Sequence, residues 1–278
     1  MDINILDSDF AKGFVRMATD GHSMGWHERN GGNLSYRIKD EELAQIRSCL
    51  DFSKPWCEIE AAVPHLSNEF FLVTGSGKFF RNVELNREAN IAIIELNGRG
   101  EKYRITWGLC DGGRPTMELP THLMNHEVKK LASNGVNRVI YHAHPTNVIA
   151  LSFVLPLRDE IFTRELWEMM PECPVVFPDG IGVVNWMIPG GRDIAVATSN
   201  LMKKHDVAIW AHHGMFCSGE NFDVTFGLMH TVEKAAEILV KVLSMGGKRQ
   251  TTTLQNFHDL ATGFNLTFDE KFLFDKTK

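Results

Sequence analysis

Two short apolar segments joined by a glycine-containing turn constrain the fold of this chain most strongly. Residues 91–96 (IAIIEL) and 103–108 (YRITWG) flank residues 97–100 (NGRG), a pattern typical of a β-hairpin. Two more apolar segments, residues 138–145 (RVIYHAHP) and 207–216 (VAIWAHHGMF), are each predicted to form one strand. Because a hairpin pairs antiparallel neighbours, we expect a central sheet that is antiparallel or mixed.

Helical periodicity alternates with these strands and predicts an α/β fold. We expect helices over residues 8–24, 146–170, 190–205 and 223–245, together with one that starts at Thr116 as its N-cap. Two further strands are expected beside glycine-rich turns, at ERNGGNLSYRI and FFLVTGSGKFF. Residues 40–69 lack clear periodicity, so we interpret them as an irregular excursion. Residues 251–278 are interpreted as a short helix and a C-terminal tail.

The composition is that of an ordinary globular protein, with 278 residues of which 44% are hydrophobic and 23% charged. No linker-like stretch interrupts the sequence, so we predict a single domain over residues 1–278. The formal net charge of −6 argues against nucleic-acid or membrane-surface binding. Five scattered cysteines and an acidic N-terminus without a signal-like apolar segment predict a cytoplasmic location.

The most informative residues are His142 and His144, which alternate along an apolar strand. Alternate side chains of a strand share a face, so both imidazoles can approach one metal ion. A third imidazole is available from His212 or His213. Successive side chains of a strand point to opposite faces, so only one of the two is expected to be a ligand. Three histidines with an open position are typical of a catalytic zinc. The competing interpretation is a chance pair among 12 histidines.

An acid and two glycine-rich turns complete the candidate site. Glu118 lies in the first turn of a predicted helix, where a carboxylate either stabilises the helix dipole or transfers protons beside the metal. Residues 31–33 and 74–77 are glycine-rich, and their backbone N–H groups and side chains are candidates to hold a phosphate. Either turn is equally compatible with an ordinary loop.

Taken together, the segments GGNLS, VTGSGKFF, PTMELPTH, HAHP and HHG resemble the class II aldolase/adducin family. They occur in the family's order over roughly residues 8–250. The resemblance implies a central, mostly antiparallel sheet flanked by helices, in a homotetramer with one Zn²⁺ per subunit. It also implies metal-dependent cleavage of a ketose 1-phosphate. The long excursion before residue 70 and the phrase VVFPDGIG favour L-rhamnulose 1-phosphate as substrate, with dihydroxyacetone phosphate and L-lactaldehyde as products.

The resemblance also implies a role for individual residues. Glu118 is the expected catalytic acid/base, and Glu172 is expected to reach a neighbouring subunit's site. Three histidines are the expected zinc ligands: His142, His144 and His213. The expected phosphate-binding residues are Asn30, Asn33, Gly75, Ser76 and Thr116. Met117 stands where the family often has a phosphate-binding serine.

Three alternative functions remain compatible with the sequence. A family-level site does not fix sugar stereochemistry, so L-fuculose-1-phosphate cleavage and L-ribulose-5-phosphate 4-epimerisation are rivals. The third is an adducin-like interaction module without catalysis, which is expected to have lost its metal ligands. We expect a small sugar phosphate as the partner, and neither nucleic acid nor membrane.

Overall fold

The computed structural model describes residues 4–274, which form one mixed sheet with helices on both of its faces. The strands are β1 Asn33–Arg37, β2 Cys57–Glu58, β3 Phe70–Thr74, β4 Ile91–Leu96, β5 Lys102–Gly108, β6 Val139–Ala143, β7 Gly182–Val184, β8 Val207–Trp210 and β9 Gly214–Gly219. The helices are α1 Asp9–Ser23, α2 Asp40–Ile46, α3 Arg87–Asn90, α4 Leu119–Ala132, α5 Thr146–Leu151, α6 Asp159–Trp167, α7 Glu172–Val176, α8 Arg192–Met202, α9 Phe222–Ser244 and α10 Leu254–Phe264.

The sheet has the strand order β2-β5-β4-β3-β1-β6-β9-β8-β7. Every neighbouring pair is antiparallel except β7 and β8, which are parallel. The predicted hairpin is confirmed as β4 and β5, and so is the mostly antiparallel sheet. Strands β1, β6 and β9 are adjacent at the centre, so their residues can meet although they are far apart in sequence.

Alternation along the central strands divides the core between the two faces. On one face, Tyr141 and its alternating neighbours pack with helices α1, α5, α6 and α9. On the other face, Ile140 packs with Trp210 and Phe216 beneath α8, and Leu123 of α4 joins the apolar residues of β3 and β4. His142 follows Ile140 by two residues and therefore lies on the face covered by α4 and α8.

The structure corrects several local predictions. The segment 146–170 is two helices, α5 and α6, because Pro156 and its neighbours interrupt the helical pattern. Residues 207–216 form two strands around a tight turn, not one strand. The excursion at 40–69 contains α2 and the short edge strand β2.

The N-cap position of α4 is also different, because Glu118 and not Thr116 occupies it. The helix predicted over residues 8–24 is confirmed as α1, with Ser8 as its N-cap, and so is a short helix in the C-terminal segment. Residues 275–278 of the predicted tail lie outside the described residues, and the single domain over 1–278 stays a prediction. Within residues 4–274 no helix has the length and apolar character required to cross a bilayer.

Candidate active site

Three histidines converge at the end of the central strands. His142 is in β6, His144 follows it directly, and His213 lies in the turn between β8 and β9. Their ring centroids are 4.9–5.1 Å apart. One nitrogen of each ring lies within 4.8 Å of the corresponding nitrogens of the other two. This spacing is suited to three ligands around one ion.

The hydrogen bonds of two of these rings select the nitrogen that remains for a metal. His142 Nδ1 donates to the backbone carbonyl of Met215 at 3.0 Å, and His144 Nδ1 donates to Glu28 Oε1 at 2.7 Å. Both Nε2 atoms are buried and have no hydrogen-bond partner among the described residues. A buried unpaired nitrogen is costly, and a bound cation removes this cost, so the residues present fit a metal ion.

Burial keeps the imidazoles of His142 and His213 in the neutral form that metal binding requires. Desolvation lowers the pKa of His142 well below its usual value, and the neighbouring rings of His144 and His213 lower it further. Desolvation also lowers the pKa of His213 to about 4. His142 is held in place by Phe216, whose ring stacks on it at a centroid distance of 4.2 Å.

The β8–β9 turn determines which histidine joins the cluster. His212 adopts a left-handed conformation with φ of 61°, and its backbone N–H donates to Ser152 Oγ at 2.9 Å. This conformation turns the next residue, His213, toward His142 and His144, while the His212 ring contacts Ser152 and Phe153. Gly214 follows because a Cβ there would lie 2.4 Å from the carbonyl oxygen of Ala143.

Glu118 lies beside the histidine cluster. Its Oε2 atom is 3.7 Å from His142 Nε2 and accepts a hydrogen bond from Asn33 Nδ2 at 2.8 Å. Burial raises the pKa of Glu118 to about 7, and the hydrogen bond from Asn33 opposes part of this increase. A carboxyl group with a pKa near neutrality can both donate and accept a proton at working pH.

A polar cavity of about 200 Å³ opens in front of Glu118 and the histidines. It is lined by all five residues predicted to bind phosphate: Asn30, Asn33, Gly75, Ser76 and Thr116. The expected backbone cradle is only partly available, because the N–H groups of Gly75 and Ser76 donate to the carbonyls of Asn90 and Arg114. Side-chain hydroxyl and amide groups are therefore the better phosphate donors in this cavity.

A second cavity of about 370 Å³ adjoins the first and shares His144, His213 and Pro189 with it. Trp186 and Met187 add apolar surface to it. His144 and His213 thus line both cavities. The loop after β7 was not singled out by the sequence, because nothing in its composition marks it as part of a site.

Glu172 lies away from both cavities in this subunit. It begins α7 and lines a separate apolar cavity of about 190 Å³ together with Val176 and Phe264. Its expected role in a neighbouring subunit's site stays a prediction.

Sequence reasoning missed three residues that support the site. Glu28 holds His144, and His122 contacts Asn33. His27 donates from Nδ1 to the carbonyl of Gly31 at 3.0 Å, and its Nε2 accepts from the Tyr141 hydroxyl at 2.6 Å. His27 therefore ties the glycine-rich turn at residues 31–33 to strand β6. The ELPTH spacing, which places His122 four residues after Glu118, was the available signal for His122.

Comparisons with known proteins agree with this geometry. The family model described as "Class II Aldolase and Adducin N-terminal domain" matches residues 13–240. The rhamnulose-1-phosphate aldolases of Mannheimia succiniciproducens and Yersinia pestis (strain Pestoides F) are each 48% identical to this chain. The matches cover 95% of this chain and 97% and 96% of those proteins. The crystal structure of a sugar-phosphate aldolase from Thermotoga maritima superposes with a TM-score of 0.66 at 27% identity, over 84% of this chain and 94% of that one.

The chain belongs to the class II aldolase and adducin family. It is a carbon–carbon lyase of the metal-dependent class II type, and its substrate is a small sugar phosphate.

Proposed function

We propose that this protein reversibly cleaves L-rhamnulose 1-phosphate to dihydroxyacetone phosphate and L-lactaldehyde. The observation that supports this most directly is the convergence of three imidazoles beside a buried carboxyl group, at the mouth of a polar cavity. The two relatives at 48% identity bear the name of this activity, and they match this chain over nearly its whole length.

The ligands of the proposed Zn²⁺ are His142, His144 and His213, with one ion per subunit. Bound there, the ion would act as a Lewis acid that polarises oxygen atoms of the ketose. Imidazole donors suit zinc, and the two unpaired Nε2 atoms support their use as ligands. Because this chemistry provides the electron sink, no lysine is required to form a Schiff base.

Glu118 is the proposed proton-transfer group. Breaking the C3–C4 bond converts the C4 hydroxyl into the aldehyde carbonyl, with loss of the hydroxyl proton to water, and leaves an electron pair on C3. The carboxylic acid of Glu118 donates a proton to C3. In the synthetic direction the Glu118 carboxylate removes the same proton. The raised pKa, about 7, populates both forms near neutral pH.

The polar cavity is the proposed phosphate site, with Asn30, Asn33, Gly75, Ser76 and Thr116 around the phosphate. Anchoring the phosphate there holds the donor half of the substrate beside Glu118. The exposed side chain of Met117 has no hydroxyl to offer, so Thr116 is left as the neighbouring hydroxyl donor.

We expect Ser76→Ala to raise the KM for the phosphorylated substrate about tenfold, because a hydrogen bond to a charged group contributes roughly 1.5–3 kcal/mol. The kcat should stay within about twofold. Cleavage of unphosphorylated L-rhamnulose serves as the matched control, since its KM should not respond to this substitution. An equal loss on both ketoses would remove Ser76 from the phosphate site.

We expect Glu28→Ala to weaken zinc binding by roughly 10–100-fold, because Glu28 orients the ring of His144. Competition with a fluorescent chelator measures the affinity directly. Glu28→Gln keeps an oxygen that can accept a hydrogen bond from His144 Nδ1, so its zinc affinity should lie between those of the wild type and the alanine variant. Unchanged affinity in the alanine variant would show that His144 is oriented without Glu28.

We also propose a homotetramer and a cytoplasmic location. Exposed apolar residues beside Glu172, including Phe264 at 59% exposure, support burial of this region against another copy. In that arrangement Glu172 would contribute to a neighbouring subunit's site. The exposed thiols of Cys49, Cys57 and Cys110 favour a reducing compartment.

The decisive experiment combines metal analysis with a cleavage assay on three substrates. We expect about one zinc per chain and the highest kcat/KM on L-rhamnulose 1-phosphate. Faster cleavage of L-fuculose 1-phosphate, or epimerisation of L-ribulose 5-phosphate, would assign that reaction of the family to this protein instead. Metal binding without turnover of any of the three substrates would contradict the proposed function.

A further inference from the structure

A buried chain of side-chain hydrogen bonds runs from Glu118 into the space between β1 and α4. Asn33 Nδ2 donates to Glu118 Oε2 at 2.8 Å, and Asn33 Oδ1 contacts His122 Nε2. The chain continues from His122 Nδ1 to Ser35 Oγ at 2.6 Å, and from Ser35 Oγ to His126 Nε2 at 2.8 Å. Each of these side chains is buried, with at most 9% of any residue exposed.

The direction of every bond in this chain follows from its first member. Because the Asn33 amide nitrogen faces the Glu118 carboxylate, its oxygen faces His122, and His122 Nε2 must carry the proton. Burial lowers the pKa of His122 to about 3, so the ring is neutral and its Nδ1 accepts from the Ser35 hydroxyl. Ser35 has a single proton, so it must accept from His126 Nε2–H. One tautomer of each histidine satisfies all four contacts.

Secondary structure fixes the members of this hydrogen-bond chain on both sides. Asn33 and Ser35 are two residues apart in β1 and therefore share one face. Glu118, His122 and His126 repeat every four residues along the start and first turns of α4, so they share one stripe of that helix. The hydrogen bonds thus tie the Glu118 carboxylate to the central strand beside β6.

We propose that His122 is a positioning residue, which holds the Asn33 amide in one orientation and thereby aims the Glu118 carboxylate at the substrate carbon. This inference rests on the proposed role of Glu118. The chain ends at His126, whose Nδ1 has no partner among the described residues, so it offers no onward path for a proton. The geometry therefore favours positioning over proton conduction.

Loss of His122 would free the Asn33 amide to rotate by half a turn. Its oxygen would then face the Glu118 carboxylate, and two acceptors would repel each other. Glu118 would be displaced from the direction in which it meets the substrate, and small displacements of a reacting group cost up to about 10²-fold in rate.

The test compares His122→Phe, which removes both ring nitrogens, with His122→Gln, which retains an amide donor near the Nε2 position. We expect His122→Phe to lower kcat for L-rhamnulose 1-phosphate by roughly 10–100-fold. Zinc content should stay within about twofold. Exchange of the C3 hydrogen of dihydroxyacetone phosphate in D₂O, followed by NMR, should fall in parallel, and His122→Gln should recover most of both rates.

The matched control is His205→Phe, which makes the same substitution at a buried histidine that donates to the carbonyl of Asp179, outside both cavities. It should leave hydrogen exchange and kcat within about twofold. Equal losses in both phenylalanine variants, or an unchanged exchange rate in His122→Phe, would overturn the positioning role. If His122→Phe does not fold, Ser35→Ala interrupts the same chain and should lower the exchange rate several-fold.

A second measurement requires neither a variant nor turnover. ¹⁵N NMR of the wild-type imidazoles should show His122 and His126 as neutral rings with the proton on Nε2. A proton on His122 Nδ1 would overturn the proposal. A wild-type protein that shows these tautomers but cleaves no ketose phosphate would instead contradict the proposed function.

Discussion

Replacing Glu118 by Gln is expected to lower kcat by roughly 10²–10⁴-fold while zinc remains bound at about one ion per chain. General acid–base groups contribute rate factors of this size, and the amide can neither give nor take the proton at C3. Glutamine has nearly the same shape and still offers an oxygen to Asn33, so the neighbouring His142 should keep its position. Stopped assays of aldehyde release, together with metal analysis, measure the two quantities.

The matched control for this variant is Glu127→Gln on the same helix. Glu127 accepts hydrogen bonds from the backbone N–H and the ring of His65, at the edge of the protein. Its replacement should leave kcat within about twofold. Full activity in Glu118→Gln would remove this carboxyl group from the mechanism, and loss of zinc in the same variant would assign it to metal binding.

Removal of the metal is expected to abolish cleavage, and added zinc should restore it. Lewis-acid stabilisation of several kcal/mol corresponds to roughly 10³-fold or more in rate. His142→Ala should reproduce the effect permanently, because it removes the most buried of the three rings and the one nearest Glu118. The measurements are zinc content after dialysis and the cleavage rate before and after zinc addition.

His258→Ala provides the control for this prediction, because His258 is exposed on α10. It should retain both zinc and activity. Cleavage that persists in metal-free protein would end the assignment of a metal-dependent mechanism. Retention of zinc by His142→Ala would mean that the other two histidines, with another donor, form the site.

The sequence alone predicted the parts of the fold that depend on local patterns. The hairpin of β4 and β5 and the helices α1 and α9 were predicted because the turn and the helical periodicity each lie within one segment. The chain direction between residues 207 and 216 was predicted wrongly. The left-handed conformation of His212 makes the turn there, and histidine is not a residue that signals such a conformation.

The sequence likewise predicted those parts of the candidate site that depend on a pattern within one segment. Alternation in one strand was sufficient to place His142 and His144 together, whereas the choice of His213 came from resemblance to a family. Glu28 and His122 were missed as partners because their contacts with His144 and Asn33 join residues more than 80 positions apart. Contacts of that kind depend on the packing of whole elements and leave no periodic signal.

The pairing of β1 with β6 has one more consequence. Asn33 stands directly opposite His142 in this ladder, with Leu34 opposite Tyr141. A one-residue shift of this ladder would point Asn33 into the apolar layer under α1 and α9, and Leu34 would replace it next to the carboxyl group. Insertions should therefore be tolerated far better in the surface segments of this protein than in this five-residue strand. In β1 the register of the strand decides which side chain lies next to Glu118.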